Sequence, residues 1–509
     1  MKESTPGSAW SMNRTRAVAV GAFCLLNLAV YGIRIVSVWR YGTLFSATAV
    51  EAPMIDSVSR CMHRGAVYTW PFAFPFSISL YNYLFYYTYA AVLGVIGAWD
   101  AGITTWGRQF TLVFALAGAI AQWRLVRSLL NLRGIASAGS LALAAGLWLC
   151  TSLVKYWAIS IRPDMAAAAL VMIALWVIVL QPRFAFAYAG IFLYLAWAFK
   201  QSVVLTFIGL CVWLLLNKRW KDLTLLVAVF AALVAATLLL GSPAYRFSIL
   251  TAPQMVRGFI IGIPWILHAL GTGLNAILLN LFWVAAPFIL LRASNGTQTI
   301  DARVRPLFTL FVVALAIGVG GMGKVGGTSN YLFEAFAAGS TLLQLAAFTV
   351  PGRCVTALVL FGCIQPAAQL VGVAIGYHAT GKHDMAPIAT AAEYADALAL
   401  RDQLARLKKP IFTTDGAFSL PWIAAENGTP SLVLDPNFQQ VAQPREENGG
   451  VEGMLQRGEI PTAILSSADR GYVRSLNPGY VKVTESIQQG VHYTIYAFNP
   501  TPRAPESAP

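Results

Sequence analysis

Apolar runs dominate the chain and are interrupted only briefly. Stretches at about 17–38, 108–123, 136–153, 164–180, 184–200, 202–217, 222–240, 274–291, 306–322, 331–349 and 354–376 are long enough, or nearly so, to cross a bilayer as helices. Two further apolar stretches, 81–98 and 258–270, have to be placed by a different argument. The pattern changes after residue 376. PIFTTDGAFSLPWIAAENGTPSLVLDP reads as strand, turn, helix, strand, and VEGMLQRGEIPTAILSS reads as helix then strand. The tail PTPRAPESAP reads as disordered. The first apolar run is long and no small-residue cleavage site follows it closely, so it reads as a spanning helix and not as a signal peptide.

Basic residues orient these segments. With Lys2, Arg14 and Arg16 holding the N-terminus in the cytoplasm, residues 39–107 form the first outer loop. A spanning 81–98 would put Arg124, Arg127 and Arg133 outside, against the positive-inside rule. An interfacial helix there puts them inside, together with Arg183, Lys218, Arg219, Lys221, Arg292, Arg303, Arg305 and Arg353. Tyr81, Tyr83, Tyr86, Tyr87, Tyr89 and Trp99 suit such an interfacial segment. The expected fold is an all-α polytopic membrane protein of about 11 transmembrane helices plus interfacial helices. It covers residues 1–376, and a small extracytoplasmic α/β domain with the Pro-rich tail covers 377–509.

Composition agrees: 57% of residues are hydrophobic and 11% charged, against about 25% charged in soluble domains. The net charge of +14 contains no Lys/Arg-rich run. The basic residues stand singly beside apolar segments, which favours anionic lipid or lipid-linked phosphate over nucleic acid. The six cysteines form no CxxC pair and none lies in the C-terminal part, so neither a disulfide framework nor a zinc site is expected. No internal repeat or inverted symmetry of broken helices is visible.

Some polar residues fall where an apolar chain should not have them. Glu51 and Asp56 follow the first helix, five residues apart, and only partly share a helical face. Arg60 and Arg64 follow Asp56 at i+4 and i+8 and would line one face with it; a solvated amphipathic segment gives the same pattern. Arg162-Pro163-Asp164 opens a helix, where Pro163 and Asp164 are at home but Arg162 opposes the dipole and needs an anionic neighbour. Lys200 and Gln201 separate two apolar helices, and a snorkelling lysine is the plainer reading there. Lys324 stands in a glycine-rich loop, with Asn330, Tyr331 and Glu334 at the next helix start. An intramembrane carboxylate such as Glu334 is a functional candidate, with pairing to Lys324 as the bland alternative. Arg60, Arg64, Lys155, Arg162, Lys200 and Lys324 all fall on the outer side, against the positive-inside rule. A lipid-linked phosphate held between helices would balance them.

The acidic first loop (Glu51…Asp56), the GAVY…YNYLFYY stretch, RPDM, FKQS, GGTSNYLFE and the C-terminal α/β part occur in this order. Together they resemble the GT-C superfamily of integral membrane glycosyltransferases. The similarity is to bacterial polyprenyl-phosphate-sugar-dependent members, grouped with mannosyl-, arabinosyl- and aminoarabinose transferases. It implies inverting transfer of a sugar from a polyprenyl-phosphate donor to an envelope glycan or lipid acceptor, at the periplasmic face of the inner membrane. It also implies that Asp56 or Glu51 is the general base. Arg162, Lys200, Lys324, Arg60 and Arg64 would bind the donor phosphate. Asp164, Gln201, Asn330, Tyr331, Glu334 and Tyr81 would line the substrate cavity. No dense carboxylate cluster of the DxD kind is present, so no metal cofactor is expected. A transporter or flippase of lipid-linked sugars is the alternative reading, and would call for repeats and broken helices. A ligase on another membrane fold would not need the first-loop acids, and in a scaffold they would be dispensable.

Overall fold

The computed structural model describes residues 14–41, 51–151, 153–180, 183–255, 263–294, 302–322, 329–350, 353–374, 391–413, 422–423, 432–433, 445–466, 469–488 and 491–499. The chain runs through helices α1 (Arg14–Tyr41), α2 (Glu51–Met62), α3 (Tyr83–Val95), α4 (Ala101–Leu130), α5 (Gly134–Cys150), α6 (Asp164–Leu180), α7 (Ala185–Phe199), α8 (Leu205–Leu216) and α9 (Trp220–Leu240). After short helical turns within Pro243–Met255 come α10 (Ile263–Leu279), α11 (Ala286–Ser294), α12 (Arg305–Met322), α13 (Phe333–Thr349) and α14 (Arg353–Ala374). Among the described residues, six helices are long and apolar enough to cross a membrane, and six more apolar helices are shorter. The chain is an integral membrane protein.

The bundle is built around α6 and α13. Helix α6 packs on α4 and α7, and α13 packs on α12 and α11. Every residue of α13 from Phe333 to Phe348 is buried. Helix α9, apolar all round, buries only Leu226 and Phe230; in a membrane such a surface faces lipid. A buried polar network ties the centre together. Trp148 Nε1 donates to Gln122 Oε1 at 2.7 Å, Gln122 Nε2 donates to Gln344 Oε1 at 2.9 Å, and Gln344 Nε2 donates to the Ser140 carbonyl at 2.6 Å. Each amide satisfies the next, as an apolar surrounding demands.

Helix α3 has 13 residues. At 1.5 Å per residue it reaches about 20 Å, less than the ~30 Å hydrocarbon core. The stretch 274–291, read as one span, is divided. Helix α10 covers its first part and continues back to Ile263, and Asn280 interrupts it before Leu281–Val284 and α11. Asn280 turns its amide onto the Ala276 carbonyl at 2.8 Å and accepts the Trp283 indole N–H at 2.9 Å, and such side-chain bonds compete with a continuous helix.

The C-terminal part contains α15 (Ala391–Leu404), β1 (Ile411–Thr413), β2 (Leu432–Val433), α16 (Gly450–Arg457), β3 (Thr462–Ser466), α17 (Arg470–Arg474), β4 (Tyr480–Gln488) and β5 (Val491–Phe498). The sheet order is β2-β1-β3-β5-β4. Strand β1 is parallel to β2 and β3, and the hairpin β4–β5 joins β3 antiparallel. One face packs Ile411, Ile464, Tyr493 and Ile495 against Ala397, Leu400 and Leu404 of α15. The other packs Phe412, Ala463 and Leu465 against Val451 and Leu455 of α16. Phe76 of the first loop enters this second core, and the Glu447 amide donates to the Phe72 carbonyl at 2.8 Å. The sheet therefore rests on the loop between α2 and α3. The Pro-rich tail lies outside the described residues.

Candidate active site

Asp164 is the first residue of the buried helix α6, and three donors converge on it. Lys200 Nζ, from the C-terminal end of α7, donates to Oδ1. Asn330 Nδ2, just ahead of α13, donates to the same oxygen at 2.9 Å, and Arg162 Nε donates to Oδ2 at 3.2 Å. The charged members are all buried: Arg162 is 5% exposed, Asp164 2% and Lys200 7%. The helix dipoles explain part of this geometry. Asp164 sits at a helix N-terminus and Lys200 at a helix C-terminus, each at the end that favours its charge. Arg162 does not have that support and is held otherwise. Its guanidinium lies 4.4 Å from the Trp157 ring centre, and Nη2 donates to the Tyr81 hydroxyl.

The first loop thus reaches the cluster through Tyr81. One residue earlier, the Leu80 carbonyl accepts Gln201 Nε2 at 2.6 Å, which fixes the turn carrying Lys200. Glu334, 4% exposed, caps a neighbouring helix: its oxygens accept the Leu205 amide at 3.1 Å and the Thr206 amide at 2.6 Å at the start of α8. A small cavity of about 20 Å³ lies among Asp164, Lys200, Asn330, Tyr331, Phe333 and Glu334. It has room for about one water molecule.

The two first-loop acids have separate partners. Glu51 is wholly buried and takes a bidentate pair from Arg108 of α4, with Nε to Oε1 at 3.1 Å and Nη2 to Oε2 at 2.7 Å. Its Oε1 also accepts the Ile161 amide at 2.8 Å, immediately before Arg162. Asp56 accepts Arg60 Nε at 3.0 Å, and Arg60 continues to the Ser57 and Ser79 hydroxyls at 3.2 and 3.4 Å. Arg60 is therefore bound up in α2 and its supporting loop. Ser79 lies two residues before Tyr81, which links this pair through the chain to the cluster.

Of the residues singled out in the sequence, Asp164, Arg162, Lys200, Asn330 and Tyr81 are brought into direct contact. Tyr331 and Glu334 line the same cavity, and Gln201 anchors the turn beside it. Glu51 joins through the Ile161 backbone. Neither Glu51 nor Asp56 lines the small cavity. The expected row of Asp56, Arg60 and Arg64 along one helical face does not form: α2 ends at Met62, and Arg64 is exposed with a left-handed backbone at φ 59°. Lys324 lies outside the described residues. Arg108 and Trp157 were not singled out. Arg108 had a usable signal, since a charge inside an apolar helix needs a partner. It stood at the assumed edge of the stretch 108–123, whereas α4 begins at Ala101.

No family model matches the chain, and no curated protein does. Among solved structures, ArnT from Cupriavidus metallidurans bound to undecaprenyl phosphate superposes with a TM-score of 0.61 at 12% identity, over 96% of this chain and 99% of that one. The apo form of the same ArnT gives 0.61 at 12% identity, over 94% and 97%. The fold is GT-C. The apo Archaeoglobus fulgidus oligosaccharyltransferase aligns over 95% of this chain and 74% of that one, with a TM-score of 0.46 at 12% identity. In this chain, the buried helices α6 and α13 both begin at the charge cluster. Their N-terminal dipole ends add to Arg162 and Lys200 at one spot.

Proposed function

We propose that the protein is an inverting membrane glycosyltransferase that uses a polyprenyl-phosphate-linked sugar. It transfers the sugar to an envelope glycan or lipid acceptor at the periplasmic face of the inner membrane. The N-terminus is cytoplasmic, and the part after residue 376 is a periplasmic domain. The observation that carries this reading is the meeting of Arg162 and Lys200 with the starts of two buried helices. Asp164 offsets one of the two positive charges, and the charge that remains suits a phosphate together with the backbone dipoles. The ArnT neighbour, described with bound undecaprenyl phosphate, supports the choice of lipid.

The reaction needs a base on the acceptor and positive charge on the leaving group. Both first-loop acids are ion-paired: Glu51 uses both oxygens on Arg108 and the Ile161 amide, whereas Asp56 meets Arg60 through Oδ2. We assign the base to Asp56 and a positioning role to Glu51. Asp56 takes the proton of the acceptor hydroxyl as its oxygen attacks the anomeric carbon. The bond from that carbon to the phosphate oxygen breaks, and the lipid phosphate leaves with the electron pair beside Arg162 and Lys200. Asn330, Tyr331 and Tyr81 border the sugar. The cavity beside Asp164 holds about one water, so it must widen to admit a donor.

The test is transfer of label from a panel of polyprenyl-phosphate sugars to envelope acceptors. Wild-type protein should transfer one of them. Asp56→Asn should lose about 10²–10⁴-fold in rate, the range for a general base, while expressing normally. Wild-type rates in Asp56→Asn remove the assignment of the base. Wild-type rates in Arg162→Gln and Lys200→Gln as well remove the whole reading.

A further inference from the structure

A second hollow lies in the C-terminal sheet, away from the charge cluster. It is an open cleft of about 510 Å³ between the β3–β5–β4 face and α17, lined by Leu465, Arg470, Arg474, Glu485, His492 and Thr494. This volume is in the range of small-molecule sites, about 300–1,000 Å³. The floor is one row across three strands: Leu465 is in register with Thr494, and Thr494 with Glu485. Ser466 also borders the cleft and ends β3. In open α/β sheets, ligands bind beyond the carboxyl ends of the parallel strands.

The charges in this cleft are unequal. Arg470 and Arg474 stand one helical turn apart, both exposed, and neither has a carboxylate partner among the described residues. The acids nearby are engaged elsewhere. Glu485 pairs with Lys482 at 2.6 Å, and that cation holds its carboxyl below the usual range. Asp469 accepts the Ser466 amide at 2.6 Å and the Ser466 hydroxyl at 2.7 Å. Two adjacent guanidinium groups suit a phosphate or carboxylate, which they grip through paired N–H donors. The cleft is larger than a bare oxyanion needs. Its remaining lining sets the exposed apolar Val473 beside the Thr494 hydroxyl and the His492 ring. A sugar ring, with C–H faces and hydroxyl edges, matches that combination.

We propose that this cleft binds an acidic saccharide, a sugar carrying a phosphate or carboxylate group. Arg470 and Arg474 hold the anion, and Val473, Thr494 and His492 face the ring. The same sheet rests on the first loop through Phe76 and Phe72, so a glycan held here is kept at the end of the bundle where Asp164 lies. The binding itself does not depend on the transfer reaction.

The test is calorimetric titration of the full-length protein in detergent micelles, with no donor present. Glucose 1-phosphate, glucuronic acid, glucose and inorganic phosphate are each added in turn. At least one of the two acidic sugars should bind, about tenfold or more tighter than glucose and than inorganic phosphate, and salt should weaken it. Arg470→Ala/Arg474→Ala should weaken that binding at least about tenfold with the thermal unfolding profile unchanged. Both arginines are exposed, so the variant keeps its fold. Equal binding by glucose overturns the charge requirement. Equal binding by inorganic phosphate overturns the saccharide. Unchanged binding by the double variant, or no binding at millimolar concentration, overturns the site.

Discussion

Glu51 accepts the amide of Ile161 at 2.8 Å, and through that bond helix α2 sets the backbone that presents Arg162. Arg108 closes the arrangement from α4 with two hydrogen bonds to the same carboxylate. Three segments far apart in the chain are locked together around one buried ion pair. The Arg162–Asp164–Lys200 contacts are built directly on that lock.

Breaking this pair should cost stability before it costs chemistry. Glu51→Gln keeps an acceptor for Ile161 but leaves the Arg108 charge buried without its carboxylate. Loss of one partner of a buried pair costs about 3–5 kcal/mol. Glu51→Gln/Arg108→Met removes both charges and should recover much of that loss. Thermal unfolding in detergent micelles measures it, and a double variant no more stable than Glu51→Gln contradicts the pairing.

Glu334 joins α13 to the start of α8 by accepting two backbone amides. Glu334→Gln offers one acceptor oxygen in place of two and should lower stability by about 1–3 kcal/mol, the cost of a buried donor left unsatisfied. Hydrogen exchange should quicken at Leu205 and Thr206 and stay unchanged in α5. Uniform change across the bundle would show that Glu334 does not act locally.

Helix contacts predict a contrast between two glycines. A Cβ on Gly118 would meet the Trp148 ring at 2.2 Å, and the Trp148 indole is fixed by Gln122. Gly118→Ala should destabilise by about 1–3 kcal/mol. Gly139 in α5 has nothing within 4 Å of the added carbon, so Gly139→Ala should stabilise by about 0.5–1 kcal/mol. Thermal midpoints of the two variants moving the same way contradict this packing.

Charge at the leaving phosphate is assigned to Arg162 and Lys200, so transfer activity should persist in EDTA. A loss of transfer that added magnesium or manganese restores would shift that role to a metal ion.

Much of the bundle was legible because apolar runs have one stable form in lipid. Helix α6 covers 164–180 as read, and α7 and α9 fall within two residues of their expected limits. The charge cluster was partly legible, since Arg162 lay at a helix start that its charge opposes. For Asp164 the sequence gives a place at the helix start and, by resemblance, in the substrate cavity, and the fold adds its pairing with Arg162 and Lys200. The Glu51–Arg108 pair was invisible because no periodicity links positions 57 residues apart in the chain. The hairpin β4–β5 escaped for another reason. Val481, Val483 and Ile487 of the edge strand β4 are exposed, with Lys482 and Glu485 between them, so its apolar pattern does not mark a buried face.

The central claim is that Arg162 and Lys200 grip a lipid phosphate. Equilibrium binding of undecaprenyl phosphate to the purified protein tests it most directly. Wild-type protein should bind, and Arg162→Gln and Lys200→Gln should each weaken binding by about tenfold or more, roughly 1.4 kcal/mol, while remaining folded. Equal affinity in wild type and both folded variants would contradict the claim.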